Sequence, residues 1–173
     1  MVTRSKIIVS DSSVLMDLAK ARLIEATLAL PFEFVIPDVI LTEELLDLRS
    51  YTAADLPRLG FRIGELEGQD TYEAFTYYRT YRANLSLNDC FALRVAEIRS
   101  GILMTGDAWL RKVAADRGIE VHGLLWVADH IAQHGTYPAP QLAAALETLG
   151  QDPLVRLPTG PLRELIERLR RRK

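Results

Sequence analysis

The chain has 173 residues, of which 49% are hydrophobic and 25% are charged, and its net charge at neutral pH is −2. This length and composition predict one globular domain with a full core and exclude global disorder. The single cysteine, Cys90, excludes a disulfide framework and a cysteine zinc cluster, and we expect it in the core. No apolar stretch reaches the ~18 residues of a membrane span, and the first one is too short for a signal peptide, so we expect a cytoplasmic protein.

Short apolar stretches predict strands that alternate with helices along the first two thirds of the chain. The predicted strands are 6–10, 32–36, 61–66, 102–105 and 119–122, the third of them weakened by Gly64. One predicted helix runs from just after Ser13 to about Leu30, and the next begins after Asp38, its N-cap. Residues 51–59 are predicted to form a helix or turn that Pro57 breaks. The remaining predicted helices are 69–82, 86–100, 108–117, 124–133, 141–149 and 160–173.

The alternation of strands and helices over residues 6–122 indicates βαβ units and therefore an α/β fold with a parallel sheet. Beyond that region the chain is predicted to be helical throughout. We expect a first unit over residues 1–130 and a C-terminal helical extension over residues 131–173, packed on the same domain.

Four acidic residues follow predicted strands or occupy the first turns of predicted helices: Asp11, Glu43, Asp89 and Asp107. In open α/β sheets the ligand crevice lies outside the carboxyl ends of the strands, so these carboxylates can converge there. Four carboxylates so gathered repel each other strongly unless a divalent cation neutralises them. The pattern therefore indicates a site for a hard metal ion, for which oxygen ligands are suited.

Each acid also has a purely structural interpretation. Asp11 and Asp107 are in positions typical of helix N-caps. Asp89 completes the capping-box pattern Ser86-x-x-Asp89 before an apolar run. Glu43 and Glu44 flank the same polar sector of their helix, and the helical wheel does not choose between them. Only the coincidence of all four acids at one end of a sheet favours the metal site.

The segments VSDSSVLMDLAK, IPDVILTEELL, LSLNDCFALRVAE and LMTGDAWLRKVAADRGIEVHG resemble the successive motifs of a PIN domain, most closely the VapC-like branch of type II toxin–antitoxin systems. The resemblance covers roughly residues 6–130, and the tail beyond is longer than in the minimal toxins. It implies a three-layer α/β/α fold with a central parallel sheet of about four to five strands.

The resemblance further implies a ribonuclease that depends on Mg²⁺ or Mn²⁺, with an antitoxin partner and a homodimeric state. The carried-over metal-binding and catalytic acids are Asp11, Glu43, Asp89 and Asp107, with Glu43 preferred because the family acid usually falls six residues after the proline, here Pro37. Ser13 and Thr105 match supporting positions that hold a carboxylate or a metal-bound water.

Weaker candidates for RNA contacts are Arg79, Arg82, Arg111 and Lys112, whose alternative interpretation is a solvated helix face. Two alternative functions remain: a catalytically inactive PIN-like binding or regulatory module, and a PIN nuclease that acts in RNA processing outside a toxin–antitoxin pair. A haloacid-dehalogenase-like phosphatase is disfavoured because it needs a second aspartate where Ser13 stands.

Overall fold

The computed structural model describes residues 6–43 and 46–172, with Glu43 described in its backbone only. The strands are β1 (Lys6–Ser10), β2 (Phe32–Pro37), β3 (Arg62–Gly64), β4 (Ile102–Met104) and β5 (Val121–His122). The helices are α1 (Ser12–Lys20), α2 (Ile24–Leu28), α3 (Asp38–Glu43), α4 (Leu56–Leu59), α5 (Gln69–Tyr81), α6 (Leu87–Ile98), α7 (Ala108–Asp116), α8 (Leu124–His134), α9 (Ala139–Gly150) and α10 (Thr159–Arg171), and a 3₁₀ turn at Ala53–Asp55 precedes α4.

The five strands form one parallel sheet in the order β3-β2-β1-β4-β5. The chain therefore builds outward from β1 to β3 on one side and then returns to add β4 and β5 on the other side of β1. The neighbours β1 and β4 are in register, with Val9 opposite Leu103 and Ser10 opposite Met104. The order of the strands reverses between them, which is where open α/β sheets form a crevice at their carboxyl ends.

Successive residues of the central strands alternate between two buried layers, as the period of two in a strand requires. Ile8, Phe34 and Met104 belong to the larger core cluster, which the helices α1, α2, α8, α9 and α10 cover. Val9 and Leu103 belong to the second cluster, under α5, α6 and α7. A parallel sheet covered by helices on both faces is the α/β/α arrangement that the sequence predicts, so the predicted fold class is confirmed.

The prediction of a single first helix that reaches about Leu30 is wrong, because the structure has two helices, α1 and α2, in this segment. Helix α1 ends at Lys20, and Arg22 has a left-handed backbone with φ of 57°. The amide of Leu23 then bonds to the carbonyl of Leu18 at 2.8 Å, which closes a Schellman-type end. The break turns Leu23 and Ile24 into the core, where both are almost fully buried.

Two smaller expectations are also corrected. Pro57 does not break its helix but lies in the first turn of α4, where proline costs no hydrogen bond. Asp38 is the first helical residue of α3 and not the N-cap residue that precedes a helix.

The C-terminal helices pack against the same core as the sheet. Leu142 and Leu146 of α9, and Leu165 and Leu169 of α10, are buried in the cluster that contains Ile8. The division of the chain near residue 130 stays a prediction. Among residues 6–43 and 46–172, none of the helices is long and apolar enough to cross a membrane.

Candidate metal and nuclease site

The carboxyl ends of β1 and β4 bring Asp11 and Asp107 to one edge of the sheet. The amide of Asp11 donates to the carbonyl of Met104 at 2.9 Å, which extends the pairing of the two strands by one residue. Asp107 follows β4 by three residues and caps α7. Both acids therefore lie at the point where the strand order reverses.

Asp11 is 4% exposed and accepts hydrogen bonds at both of its carboxylate oxygens. The Ser12 amide donates to Oδ1 at 2.8 Å. The hydroxyls of Ser13 and Thr105 donate to Oδ2 at 2.8 and 2.9 Å, respectively. The two supporting residues of the sequence analysis thus both bind the first acid directly, one from α1 and the other from the end of β4.

The environment of Asp11 disfavours its ionised form. The pKa of this carboxyl is raised from 3.8 to about 6, first by its burial and second by the nearby charge of Asp89. The hydrogen bonds from Ser13, Thr105 and Ser12 lower the pKa but do not outweigh these two effects. Asp11 and Asp89 are therefore close enough to repel each other, although 78 positions separate them in the sequence.

Asp107 is joined to Asp11 through one side chain. The Asp107 amide donates to Oγ1 of Thr105 at 3.0 Å, and the same Oγ1 donates to Asp11. Oδ1 of Asp107 accepts from the amide of Leu110 at 2.7 Å, which is the N-cap interaction of α7. From the residues that the structure describes, no hydrogen bond reaches its Oδ2, which leaves that oxygen available to a ligand.

Asp89 forms the capping box that its sequence pattern predicts. Its Oδ2 accepts from the amide and the hydroxyl of Ser86 at 2.7 and 2.8 Å, and its amide donates back to the Ser86 hydroxyl at 3.1 Å. The structural interpretations of Asp11, Asp89 and Asp107 are thus all realised. They do not exclude a further role, since a carboxylate has about four lone-pair sites and a cap uses only some of them.

The fourth predicted acid, Glu43, is the last residue described in α3, and its side chain lies outside the described part of the structure, as does all of Glu44. Within the described part, no group of three His, Cys, Asp or Glu residues is arranged to hold a metal ion.

The donor chemistry at Asp11 fits a hard cation. Its carboxylate is buried, and the charge of a second carboxylate, Asp89, adds to the burial in raising its pKa. A divalent cation would relieve both the burial of the charge and its repulsion from Asp89.

One acid of this edge was interpreted from the sequence only as a helix cap. Asp38 directly follows β2, and its Oδ1 is buried without a hydrogen-bond donor among the described residues. A buried oxygen of this kind is costly unless something binds it. An aspartate directly after the last residue of a strand, here Pro37-Asp38, is the sequence feature by which it could have been found.

The four weaker substrate candidates lie in different places. Arg111 donates to the carbonyl of Thr105 at 3.2 Å and so borders the site. Lys112 points away and pairs with Asp116 at 2.7 Å. Arg79 lies over the ring of Tyr72 on its own helix, and Arg82 is an exposed residue at the end of α5.

The family model described as PIN domain matches residues 7–171. The chain belongs to the PIN-domain family. The match extends over α9 and α10 and therefore includes the region that the motifs alone do not cover. PIN domains are generally nucleases that use divalent metal ions, and their fold is the one described above. No curated protein matches the chain.

Proposed function

We propose that this PIN domain is an endoribonuclease that hydrolyses RNA phosphodiester bonds with Mg²⁺ or Mn²⁺. The observation that carries the proposal is the buried carboxylate of Asp11, which is held by Ser13 and Thr105 and whose pKa is raised by burial and by the charge of Asp89. A buried carboxylate that is repelled by a second one, at the switch point of a parallel sheet, suits a metal-dependent nuclease.

Asp11 and Asp89 would hold the metal ion, with Asp107 and Glu43 completing the site. A bound divalent ion lowers the pKa of a water molecule and stabilises charge on the phosphate oxygens. The residues of this chain position that chemistry. Thr105 orients Asp11 relative to Asp107, and the capping box of Ser86 fixes the backbone that carries Asp89. No histidine base is needed at this edge of the sheet.

The test is cleavage of a labelled single-stranded RNA by the purified protein in Mg²⁺, in Mn²⁺ and in EDTA. Cleavage should require the metal and fall at least about 100-fold in Asp11→Ala and Asp89→Ala, since removing a metal ligand costs several kcal/mol of transition-state stabilisation. Asp55→Ala is the matched control, because Asp55 also belongs to a capping box, on the exposed 3₁₀ turn. Equal cleavage by wild type and both site variants would eliminate the proposal in favour of an inactive binding module.

Glu43→Gln and Glu44→Gln, compared in the same assay, distinguish the two candidates for the fourth acid. We expect the larger loss for Glu43→Gln. The reverse order would assign the role to Glu44.

We further propose that the chain is the toxin of a type II toxin–antitoxin pair and forms a homodimer. Expression of the wild-type chain should then arrest bacterial growth, and Asp11→Ala should not. The antitoxin, a small DNA-binding protein encoded beside it, should restore growth. Normal growth with the active enzyme would favour a role in RNA processing instead. The mass of the purified protein in solution tests the dimer.

A further inference from the structure

A groove built partly by the C-terminal segment runs past the carboxylates. It consists of two cavities of about 450 and 830 Å³ that share three lining residues: Asp17, Gly106 and Arg156. These shared residues make the two cavities neighbours along the loop after β4, and together they are called the groove. Residues 152–158, between α9 and α10, supply one wall: Leu157 and Pro158 line the smaller cavity, Asp152 and Leu154 the larger, and Arg156 both.

Each cavity is lined by one of the two residues whose hydroxyls bind Asp11. Thr105 lines the smaller cavity and Ser13 lines the larger one. Both side chains donate to Oδ2 of Asp11, and Asp107 also lines the larger cavity. A chain molecule lying along the groove would therefore pass Asp107 and the two residues that hold Asp11.

The charges in the groove leave two guanidinium groups for a ligand. Lys20 pairs with Asp152 at 3.2 Å, and Arg49 pairs with Asp47 at 3.5 Å, so these cations of the groove are neutralised by acids of the groove. Arg111 and Arg156 form no ion pair with any residue that the structure describes. Arg156 is exposed and stands where the two cavities meet, and a guanidinium at such a position matches a phosphate.

The groove also presents a half-exposed aromatic ring, Trp109. Trp109 lies two residues after Asp107, is 50% exposed and lines the larger cavity. It takes part in no ring pair within the described residues. Trp126, in the other cavity, is by contrast packed against His122 and Phe32 at centroid distances of 4.6 and 5.6 Å. Trp109 and Arg156 line the same cavity, and an exposed aromatic ring together with a cation is what single-stranded nucleic-acid grooves use to hold unpaired bases.

We propose that this groove binds single-stranded RNA, with one base stacked on Trp109, a backbone phosphate on Arg156 and residues 152–158 as the retaining wall. The proposal rests on the proposed nuclease function and names the part of this chain that selects its substrate. Unpaired bases are required because a base within a duplex cannot stack on a protein ring. The cleft acids Asp17 and Asp107 repel a polyanion, so a divalent ion should assist binding.

Binding is measured by fluorescence anisotropy of a labelled oligoribonucleotide in Ca²⁺, with a gel to verify that the strand stays intact. Trp109→Ala should raise Kd about tenfold, the size of one lost base stack. Its control is Tyr72→Ala, which removes another exposed aromatic ring, on α5. Arg156→Ala should weaken binding and reduce the slope of log K against log salt by about 0.7, the effect of one lost phosphate contact. Its control is Arg163→Ala, at an exposed position of α10 outside the groove.

The chain has two tryptophans, so Trp126→Phe leaves Trp109 as the only tryptophan emitter. Saturating single-stranded RNA should quench its fluorescence, whereas a duplex of the same sequence should bind more weakly and quench less. A merely structural role of Trp109 would produce no such quenching.

The groove proposal is overturned if Trp109→Ala and Arg156→Ala bind RNA as tightly as their controls, or if the duplex binds as well as the single strand. If those same variants still cleave RNA with metal at the wild-type rate, the proposed nuclease function is supported and only the groove proposal is wrong. Loss of cleavage in Asp11→Ala with RNA binding retained supports both proposals. Absence of any RNA binding, with capture of an antitoxin peptide in the groove, would assign the groove to a protein partner and overturn the proposal.

Discussion

Thr105 donates a hydrogen bond of 2.9 Å to Asp11, a residue 94 positions earlier in the chain. The same hydroxyl accepts from the amide of Asp107 at 3.0 Å. One buried oxygen thus joins the acid after β1 to the acid that opens α7. Its position follows from the register of β1 and β4, in which Ser10 lies opposite Met104.

Thr105→Val should therefore impair both stability and cleavage. Valine keeps the shape of threonine but can neither donate to Asp11 nor accept from Asp107, which should cost about 1–3 kcal/mol of unfolding free energy. Thr105→Ser should retain most of both properties. Thr27→Val is the control, because the buried Thr27 hydroxyl donates to the carbonyl of Leu23, one helical turn earlier and away from the acids. It should lower the denaturant midpoint without changing cleavage. An equal loss of cleavage in the two valine variants would contradict a special role for Thr105.

Asp11→Asn should stabilise the metal-free protein at neutral pH. Because the folded protein raises the pKa of Asp11 from 3.8 to about 6, it binds an extra proton between these values, and its unfolding free energy falls as the pH rises through that window. Above pH 6 the penalty is complete, on the order of 2–3 kcal/mol. Asparagine carries no charge, and the Ser13 and Thr105 hydroxyls can accept from its amide.

The measurement is the melting temperature in EDTA from pH 4 to pH 8. The melting temperature of the variant minus that of wild type should increase up to about pH 6 and stay constant above it. In Mn²⁺ the order should reverse, because a ligand that binds only the folded state stabilises it. A variant that melts below wild type in EDTA at pH 7 would refute this account.

Ser86→Ala should reduce cleavage more than its effect on stability explains. It removes the hydroxyl that binds both the amide and the carboxylate of Asp89, and loss of an N-cap costs about 1 kcal/mol. Thr52→Ala removes the equivalent capping box at the 3₁₀ turn. Chemical denaturation should show similar small losses for both variants, with a fall in cleavage rate for Ser86→Ala alone. Unchanged cleavage in Ser86→Ala would show that the cap does not position Asp89.

Gly64→Ala should destabilise the protein by about 1–3 kcal/mol. A Cβ at this position would lie 2.8 Å from Cγ1 of Val35 and 2.9 Å from Cγ1 of Val95, and both valines are fully buried. Glycine is therefore needed where β3 passes under α6, although in the sequence it only weakens the prediction of a strand. Gly160→Ala, at a helical position with no atom within 4 Å, should leave the denaturation midpoint unchanged or slightly higher. Equal midpoints for both variants would exclude the steric explanation.

Local rules determined much of this protein from its sequence. The apolar strands, their alternation with helices and the Ser86–Asp89 capping box depend on neighbouring residues, and all three are present in the structure. The break at Arg22 was not predictable in this way. The left-handed position there is one that glycine usually takes, and what stabilises it is the burial of Leu23 and Ile24.

The sequence by itself also placed acids at the ends of strands, and it could not separate a helix cap from a metal ligand at any of them. Only the tertiary structure decided which strands are neighbours, and with them which acids meet. The pairing of β1 with β4 brings Thr105 to Asp11, and the packing of α6 brings the charge of Asp89 near it. The position of Arg156 beside the loop after β4 was likewise decided by the tertiary structure, because a single arginine in a loop belongs to no sequence motif. Helix and strand propensities depend on residues that are close in the sequence. The charge repulsion and burial at Asp11 depend on residues that are close only in the folded protein.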